Sequence, residues 1–120
     1  MPGAMESFLT FYTNKTRYKK HIMSSYKDLV SGETPVLVDF SATWCQPCHM
    51  LHPILEQVAS EMGDKVKIIK IDVDKNKELA GKLNIQGVPT MILYKNGQSV
   101  WRQSGVLPAH ELKQIIDNHS

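Results

Sequence analysis

The sequence predicts an α/β fold in which a central mixed β-sheet is flanked by helices on both faces. Three observations support this prediction. Apolar stretches of strand length alternate with amphipathic stretches of helix length, one strand is apolar at nearly every position, and an Asn-Gly pair separates the last two strands. Alternating strands and helices indicate parallel pairing at the centre of a sheet. The Asn-Gly pair indicates a hairpin, which adds an antiparallel edge.

The first half of the chain contains the strand that we place at the centre. A short helix over about residues 24–30 precedes it and begins at a serine cap. Val36–Phe40 is then almost continuously apolar, as expected of a strand covered on both faces. A long helix follows from about Cys45 to Met62, and Pro53 should kink it. The apolar stripe of this helix consists of Met50, Leu51, Ile54, Leu55, Val58 and Ala59.

The second half repeats the alternation and ends in the hairpin and a helix. Asn96 and Gly97 favour a tight turn between the last two strands. Pro108 opens the last helix, because proline is well tolerated in a first helical turn. The predicted elements are a strand at Val66–Val73, a helix at Lys75–Leu83, strands at Thr90–Tyr94 and Gln98–Gln103, and a helix at Pro108–Asn118. The inward-facing residues of these helices are Leu79, Ala80, Leu83, Leu112, Ile115 and Ile116.

The N-terminal segment differs from the rest of the chain in charge. We treat residues 1–20 as a basic arm and residues 21–120 as one domain. Lysine and arginine cluster in the arm, whereas the remainder is nearly neutral. A short first strand near Lys20–Met23 is one interpretation, and a short amphipathic helix is an equal alternative. The residues with helical spacing are Met5, Phe8, Leu9 and Tyr12.

Length, charge and hydropathy narrow the possible functions. A chain of 120 residues fits a single domain with its own core. Its net charge of +2 is too small to indicate nucleic acid or an acidic membrane as the main partner. No apolar run approaches the roughly 20 residues that cross a bilayer. We therefore expect a cytoplasmic, monomeric protein that binds neither nucleic acid nor membrane.

Cys45 and Cys48 have the C-x-x-C spacing, which favours redox chemistry because so short a loop gains little stability from a crosslink. The pair lies between a buried strand and the start of a helix. Free N–H groups and the helix dipole should stabilise a thiolate on Cys45 and lower its pKa. Pro47 fits the first turn, where no amide proton is needed. Cys48, one turn later and more covered, would resolve a mixed disulfide.

The stretch Val38–Cys48 resembles the active-site strand and turn of the thioredoxin family. The resemblance extends over about residues 24–118 and implies the thioredoxin fold and protein-disulfide reductase activity. Two departures bear on the redox potential: Gln46 stands where glycine is usual, and His49 where lysine or arginine is common. The other matching landmarks are Pro53, Lys70 with Asp72, Gly87–Thr90, Lys95–Gly97 and Gly105.

Asp39 is the exception in its apolar strand, and burying a carboxylate is costly without a partner or a function. We interpret it as a desolvated acid of raised pKa that exchanges a proton with Cys48, and the resemblance supports this. A satisfied structural carboxylate is the alternative. Lys70 on the neighbouring strand would be its electrostatic partner, although a solvated strand lysine is nearly as good an interpretation.

The resemblance further implies a groove for an extended substrate. Pro89 would follow a cis bond and face Cys45, and the Val88 backbone would pair with the substrate. Without the resemblance, a trans proline at the start of a strand would be the default. The residues assigned to substrate binding are Trp44, Gln46, Pro47, Val88, Pro89 and Gly105.

Two cofactor sites compete for the same cysteines. Cys45, Cys48, His49 and His52 could together ligate zinc, but they overlap on one helix start instead of lying on separate segments. The stretch Cys45–His49 is also a literal C-x-x-C-H, the haem attachment pattern, but the strand and helix alternation offers no haem pocket. We therefore expect neither a metal nor an organic cofactor.

The leading hypothesis is a reductase of disulfide-containing proteins, and the resemblance implies a thioredoxin-reductase-type flavoprotein as electron donor. Two alternatives stay open from the residues. One is an exported thiol oxidase, isomerase or redox maturation factor, which the reduction potential would distinguish. The other is a non-enzymatic binding subunit with the thioredoxin fold, whose biological role would survive replacement of both cysteines by serine.

Overall fold

The computed structural model describes residues 9–11 and 26–120. Every element predicted between residues 36 and 118 is present, with bounds within two residues of those expected. The elements in chain order are β1 (Leu9–Phe11), α1 (Tyr26–Leu29), β2 (Val36–Ser41), α2 (Gln46–Met62), a 3-10 turn (Gly63–Lys65), β3 (Lys67–Asp72), α3 (Lys77–Lys82), β4 (Thr90–Lys95), β5 (Gln98–Ser104) and α4 (Ala109–Asn118).

The N-terminal predictions fall only partly within the described residues. Leu9–Phe11 is extended and pairs antiparallel with β3, so the amphipathic helix expected from the Met5–Tyr12 spacing is wrong at these residues. Apolar spacing over so short a stretch does not distinguish a helix turn from a strand that completes a sheet edge. The alternative strand at Lys20–Met23, the serine cap and the basic cluster lie outside the described residues. The division into residues 1–20 and 21–120 stays a prediction.

The sheet has five strands in the order β1-β3-β2-β4-β5. Only β2 and β3 are parallel, whereas β1, β4 and β5 each pair antiparallel. The expected parallel centre is therefore a single pair, and the prediction is wrong for β4. A connection between two strands gives a parallel pair only when it returns to the end of the sheet where the first strand began. Here the last residue of β3, Asp72, pairs with Ser41, and the first residue of β4, Thr90, pairs with the adjacent Phe40. The chain thus enters β4 at the end of the sheet where β3 stops.

Helices cover both faces of the sheet, as predicted. The side chains of β2 alternate, so neighbouring residues enter different cores. The core beneath α2 and α4 contains Leu37, Leu51, Leu55, Val58, Ala59, Met62, Val66, Ile68, Met91, Leu93, Leu112 and Ile116. The core on the opposite face contains Leu29, Val30, Val36, Val38, Phe40, Ile69, Ile71, Ile92 and Tyr94, with Leu79 and Leu83 of the α3 region packed against it. Trp101 packs against the first core, as expected.

The long helix α2 differs from its prediction at one position. Met50 is 58% exposed, whereas Leu51 is fully buried. Successive residues are about 100° apart around a helix, so Met50 points away from the stripe that Leu51 and Leu55 define. The helix continues through Pro53 without a break in its bounds. The kink expected there stays a prediction.

The β4–β5 hairpin turns at the predicted pair. Asn96 has φ of 55° and Gly97 has φ of 79°. Positive φ at both central positions is the type I′ geometry, whose twist matches that of the flanking strands. Within the described ranges, no helix is both long and apolar enough to cross a membrane.

Candidate active site

The two cysteines are joined by a disulfide at the start of α2. Cys45 is the N-cap of the helix, with an extended backbone (φ −93°, ψ 112°), and its Sγ accepts a hydrogen bond of 3.2 Å from the Cys48 N–H. The sulfur thus occupies the place of the side-chain oxygen in a common N-cap. Because this N–H and the helix dipole favour negative charge, the geometry stabilises a thiolate on Cys45 once the disulfide is reduced.

Exposure does not distinguish the two cysteine residues in the disulfide form. Cys45 is 3% exposed and Cys48 is 5% exposed, so the expectation that Cys48 is the more covered residue is wrong. Ala42 and Val88 pack on the pair and help to cover it. The difference between the cysteines is therefore one of backbone environment: Cys45 receives the N–H at the cap, and Cys48 supplies it.

A loop that precedes β4 brings backbone groups to Cys45. The Val88–Pro89 bond is cis, as the resemblance implied, and the Val88 carbonyl oxygen lies 3.6 Å from Cys45 Sγ. The Gly105 N–H donates a 2.9 Å hydrogen bond to the Pro89 carbonyl oxygen. Gly105 has φ of 100°, a backbone conformation that residues other than glycine rarely adopt. The end of β5 thus holds the residue next to Val88.

Trp44 is the most exposed large apolar side chain near the disulfide, at 70%. Its indole Nε1–H donates a 2.7 Å hydrogen bond to Asp74 Oδ2, which orients the ring. Gln46 and Pro47 are also exposed. These three residues therefore form an accessible rim beside the buried sulfurs, and their assignment to substrate binding stays a prediction.

Asp39 lies at the middle of β2. It is two residues from Leu37 and therefore points to the same face, which α2 covers. The residue is 1% exposed, and neither of its carboxyl oxygens makes a hydrogen bond with a described residue. Burial raises the pKa of Asp39 from 3.8 to about 7, and the positive charge of Lys70 opposes this rise. A carboxyl with such a pKa can both accept and release a proton near neutral pH.

Lys70 faces Asp39 across the parallel β2–β3 pair, where the two residues are register partners. It is half-buried, and its charge acts on Asp39 through space. Ser41, two residues beyond Asp39 on the same face, is 1% exposed, and its hydroxyl has no hydrogen-bond partner among the described residues. The strand therefore carries two buried polar groups on the face where α2 begins.

The four residues considered for zinc do not gather around a common point. His49 Nε2 lies 2.8 Å from the Thr43 carbonyl oxygen, and His52 Nε2 lies 3.3 Å from Glu56 Oε2. Within the described part of the chain, no three histidine, cysteine or acidic side chains are placed to hold a metal ion. His49 instead contacts the loop before Cys45, and His52 pairs with Glu56 on the surface of α2.

The comparison with family models decides which family this architecture belongs to. The model described as Thioredoxin matches residues 12–118. The chain belongs to the thioredoxin family. With Cys45 and Cys48 bonded at the position of the family's active site, the predicted thiol–disulfide oxidoreductase is confirmed, and so is the thioredoxin fold.

Individual thioredoxins are similar over most of the chain. Thioredoxin of Bacillus subtilis (strain 168) is 45% identical over 89 residues, which are 74% of this chain and 86% of that protein. "Thioredoxin Y, chloroplastic" of Oryza sativa subsp. japonica is 43% identical over 107 residues, which are 88% of this chain. The chain spans 64% of that relative's length.

A solved structure and a fused relative complete the comparison. A mutant thioredoxin from Halobacterium salinarum NRC-1 has a TM-score of 0.71 and 38% identity, and the match covers 78% of this chain and 80% of that one. The "Bifunctional thioredoxin reductase/thioredoxin" of Mycobacterium leprae (strain TN) is 48% identical over 82 residues, which are 68% of this chain and 18% of that protein. A thioredoxin reductase is thus joined to a similar domain in one relative.

Sequence reasoning missed two side chains that shape the site. Asp74 orients Trp44, and Arg102 binds backbone carbonyls of the loop before β4. An acidic residue just after a strand that ends beside the cysteines could have indicated Asp74. No sequence pattern indicates Arg102, because its partners are backbone atoms distant in sequence.

Proposed function

We propose that the chain is a general protein-disulfide reductase in which Cys45 attacks the substrate and Cys48 resolves the intermediate. The observation that carries the proposal is the position of Cys45 Sγ, which accepts the Cys48 N–H at the cap of α2 and lies 3.6 Å from the Val88 carbonyl oxygen. The first contact favours a thiolate. The second places a backbone acceptor beside it, where an extended polypeptide could pair.

The exchange runs in two balanced steps. The Cys45 thiolate attacks one sulfur of the substrate disulfide, a new S–S bond forms, and the other substrate sulfur leaves as a thiolate that takes up a proton. Cys48 then loses its proton and attacks Cys45 Sγ, which releases the second substrate sulfur as a thiolate that also takes up a proton. The protein ends with the Cys45–Cys48 disulfide, and the substrate has gained two electrons and two protons.

Asp39 is proposed to receive the proton that Cys48 loses. Its carboxyl is buried on the face where α2 begins, and its pKa of about 7 allows it to hold or release a proton at neutral pH. Lys70 is proposed to keep that pKa within reach, because its positive charge favours the ionised carboxylate. Without Lys70, burial alone would hold Asp39 protonated at higher pH, and it could not accept the proton.

The substrate is proposed to lie along Trp44, Gln46 and Pro47 on one side and the Val88–Pro89 backbone on the other. Gly105 supports this second wall through its N–H to Pro89. The groove is formed largely by backbone and apolar groups. It would accept many extended peptides because such groups discriminate little between substrate side chains. This is the basis for proposing a general reductase instead of a dedicated one.

The electron donor is proposed to be a thioredoxin-reductase-type flavoprotein, which the fusion in Mycobacterium leprae supports. A reducing compartment follows from the proposed direction of electron flow. The cytoplasm stays our prediction for that compartment, while the name of the rice relative assigns that protein to the chloroplast. The monomeric state is likewise a prediction, which sedimentation equilibrium tests.

Reduction of insulin tests the proposal directly. With dithiothreitol as the source of electrons, the protein should precipitate the insulin B chain far faster than dithiothreitol alone. Equilibration with glutathione buffers should give a potential well below that of the glutathione pool, as a reductase requires. A rate equal to that of dithiothreitol alone would refute the proposed activity. A potential above the glutathione range would favour the oxidase alternative.

A further inference from the structure

Arg102 on β5 makes a forked contact with the end of α3. Its Nη1 donates a 2.7 Å hydrogen bond to the Leu83 carbonyl oxygen, and its Nη2 donates a 2.7 Å hydrogen bond to the Asn84 carbonyl oxygen. These carbonyls lie at the C-terminus of α3, where oxygens lack partners within the helix and the dipole favours positive charge. The chain reverses there through Asn84, which has φ of 58°.

The segment that begins at this contact ends at the cysteines. It runs from Leu83 to Pro89 and places the Val88 carbonyl oxygen 3.6 Å from Cys45 Sγ. Its far end is held by three contacts. The Thr90 hydroxyl donates to the Gly87 carbonyl oxygen at 2.6 Å and lies 2.8 Å from Ser104 Oγ, and the Gly105 N–H donates to the Pro89 carbonyl oxygen at 2.9 Å.

Both ends of the segment are therefore fixed to the last strand. Arg102 and Ser104 are two residues apart on β5 and so lie on one face, with Gly105 directly after them. A seven-residue loop that connects a helix to a strand would otherwise have several accessible conformations. Fixing both of its ends to one strand reduces the freedom of Val88.

We propose that Arg102 is a positioning residue that sets the Val88–Pro89 backbone for substrate pairing, and so acts on protein disulfides without touching them. The inference rests on the proposed function, because it assigns a purpose to Arg102 only where Val88 receives a substrate. Arginine suits this position, since its planar guanidinium presents donors to two carbonyls at once, which the single ammonium of lysine does not reproduce.

The test compares Arg102→Ala and Arg102→Lys with Gln103→Ala. Gln103 is the adjacent residue on β5, is exposed and points to the other face, so its replacement controls for changes to the strand. Each variant is assayed with insulin and with dithiobis(nitrobenzoate), a small disulfide that needs the Cys45 thiolate but has no peptide to pair with Val88. The reduction potential is measured for each.

The proposal expects a loss confined to protein substrates. For Arg102→Ala, kcat/KM for insulin should fall roughly fivefold, mainly through KM, since a misplaced positioning group loses much of its effect. The rate with the small disulfide and the potential should be those of wild type. Arg102→Lys should resemble Arg102→Ala, and Gln103→Ala should resemble wild type. An unchanged KM for insulin in Arg102→Ala would overturn the proposal.

Amide hydrogen exchange provides a second measurement that does not depend on activity. In Arg102→Ala, the amides of residues 85–88 should exchange faster, while amides of β2 keep wild-type protection. Equal loss of protection throughout the chain would mean that Arg102 only stabilises the fold, and would overturn the proposal. Failure of wild type to reduce insulin would refute the proposed function itself. An active wild type with an unaltered Arg102→Ala loop refutes only the role of Arg102.

Discussion

Two successive positions on one face of β2 show how the same degree of burial can have different consequences. Leu37 is fully buried, with Ile68 and Leu93 as its register partners on the two adjacent strands. Asp39 is 1% exposed and lies between Lys70 and Met91. The row formed by Leu37 and its two partners is apolar throughout. The row formed by Asp39 and its two partners, which we call the polar row, contains a carboxyl and a cation and lies two residues nearer to the cysteines along β2.

The comparison separates residues that stabilise the fold from residues that carry chemistry. Leu37 contributes transfer free energy and packing, and any residue of its size and polarity would do so. Asp39 opposes folding when ionised, because burial disfavours its charged form, yet its raised pKa gives it a proton to exchange at neutral pH. A stable protein would not need the second row to be polar, so its polarity indicates a function.

The largest expected effect on activity comes from replacing the cysteines, with which we propose that Asp39 of the polar row exchanges a proton. Cys45→Ser should abolish insulin reduction, because no thiolate remains to attack. Cys48→Ser should retain the attack and accumulate a mixed disulfide between Cys45 and the substrate. Non-reducing electrophoresis after incubation with insulin detects the adduct. Adducts that form in Cys45→Ser but not in Cys48→Ser would invert the two roles.

The second effect sharpens the comparison from the apolar side. Leu37→Ala should lower the free energy of unfolding by about 2–5 kcal/mol, because it leaves a cavity beneath α2. The insulin reduction rate per folded molecule should stay at the wild-type value. Urea unfolding at pH 7 gives the stability. The control is Val100→Ala at a residue that is 39% exposed, where little change is expected. A fall in rate without a fall in stability would place Leu37 in the site.

Most of the fold could be predicted because its strands, helices and turns are indicated by patterns in the local sequence. The strand at Val36, the helix stripe from Leu51 and the Asn96-Gly97 turn each depend on residues close together in the chain. Strand direction was harder to predict. The antiparallel entry of β4 depends on the end of the sheet at which the connection after β3 leaves the chain, and apolar periodicity does not encode this.

The site, like the fold, could be predicted where it depends on local motifs and not where it depends on contacts between distant segments. The cysteines, the buried Asp39 with its raised pKa and the cis bond at Pro89 follow from motifs and resemblance. The structure adds that the Asp39 carboxyl has no hydrogen-bond partner among the described residues. The similar exposure of the two cysteines and the hydrogen bonds from Arg102 to the loop depend on contacts between distant segments. Such contacts leave no pattern in a single sequence.

The third effect has the opposite sign to that of Leu37→Ala. Asp39→Asn removes an ionisable group with nearly the same shape, so the variant should be more stable at pH 7, by an amount on the order of 4 kcal/mol at most. It should also resolve mixed disulfides several-fold more slowly, because Cys48 loses its proton acceptor. Stopped-flow exchange with a single turnover of substrate measures the resolving step. A less stable variant with wild-type exchange would make Asp39 structural.

The pH dependence of this gain follows from the two pKa values of Asp39. The folded pKa of about 7 exceeds the ordinary value of 3.8, so the unfolded chain loses its proton first as pH rises. The penalty on folding is absent below the lower value, grows between the two and is complete above the higher one. The stability difference between Asp39→Asn and wild type should thus vanish near the lower value and level off above neutrality. A difference that is independent of pH would exclude ionisation as its cause.

The smallest effect concerns Ser41, whose buried hydroxyl has no hydrogen-bond partner among the described residues, and Thr90, whose buried hydroxyl has two. A buried hydroxyl without a partner opposes folding, so Ser41→Ala should raise the free energy of unfolding by up to about 1 kcal/mol. Thr90→Val removes a hydroxyl that is bonded to Gly87 and Ser104, and should lower it by about 1–2 kcal/mol. Chemical denaturation of the two variants beside wild type measures this contrast. If Ser41→Ala proves destabilising to the same extent as Thr90→Val, the Ser41 hydroxyl is bonded in solution, and among the described residues of β2 the Asp39 carboxyl alone is buried without a hydrogen-bond partner.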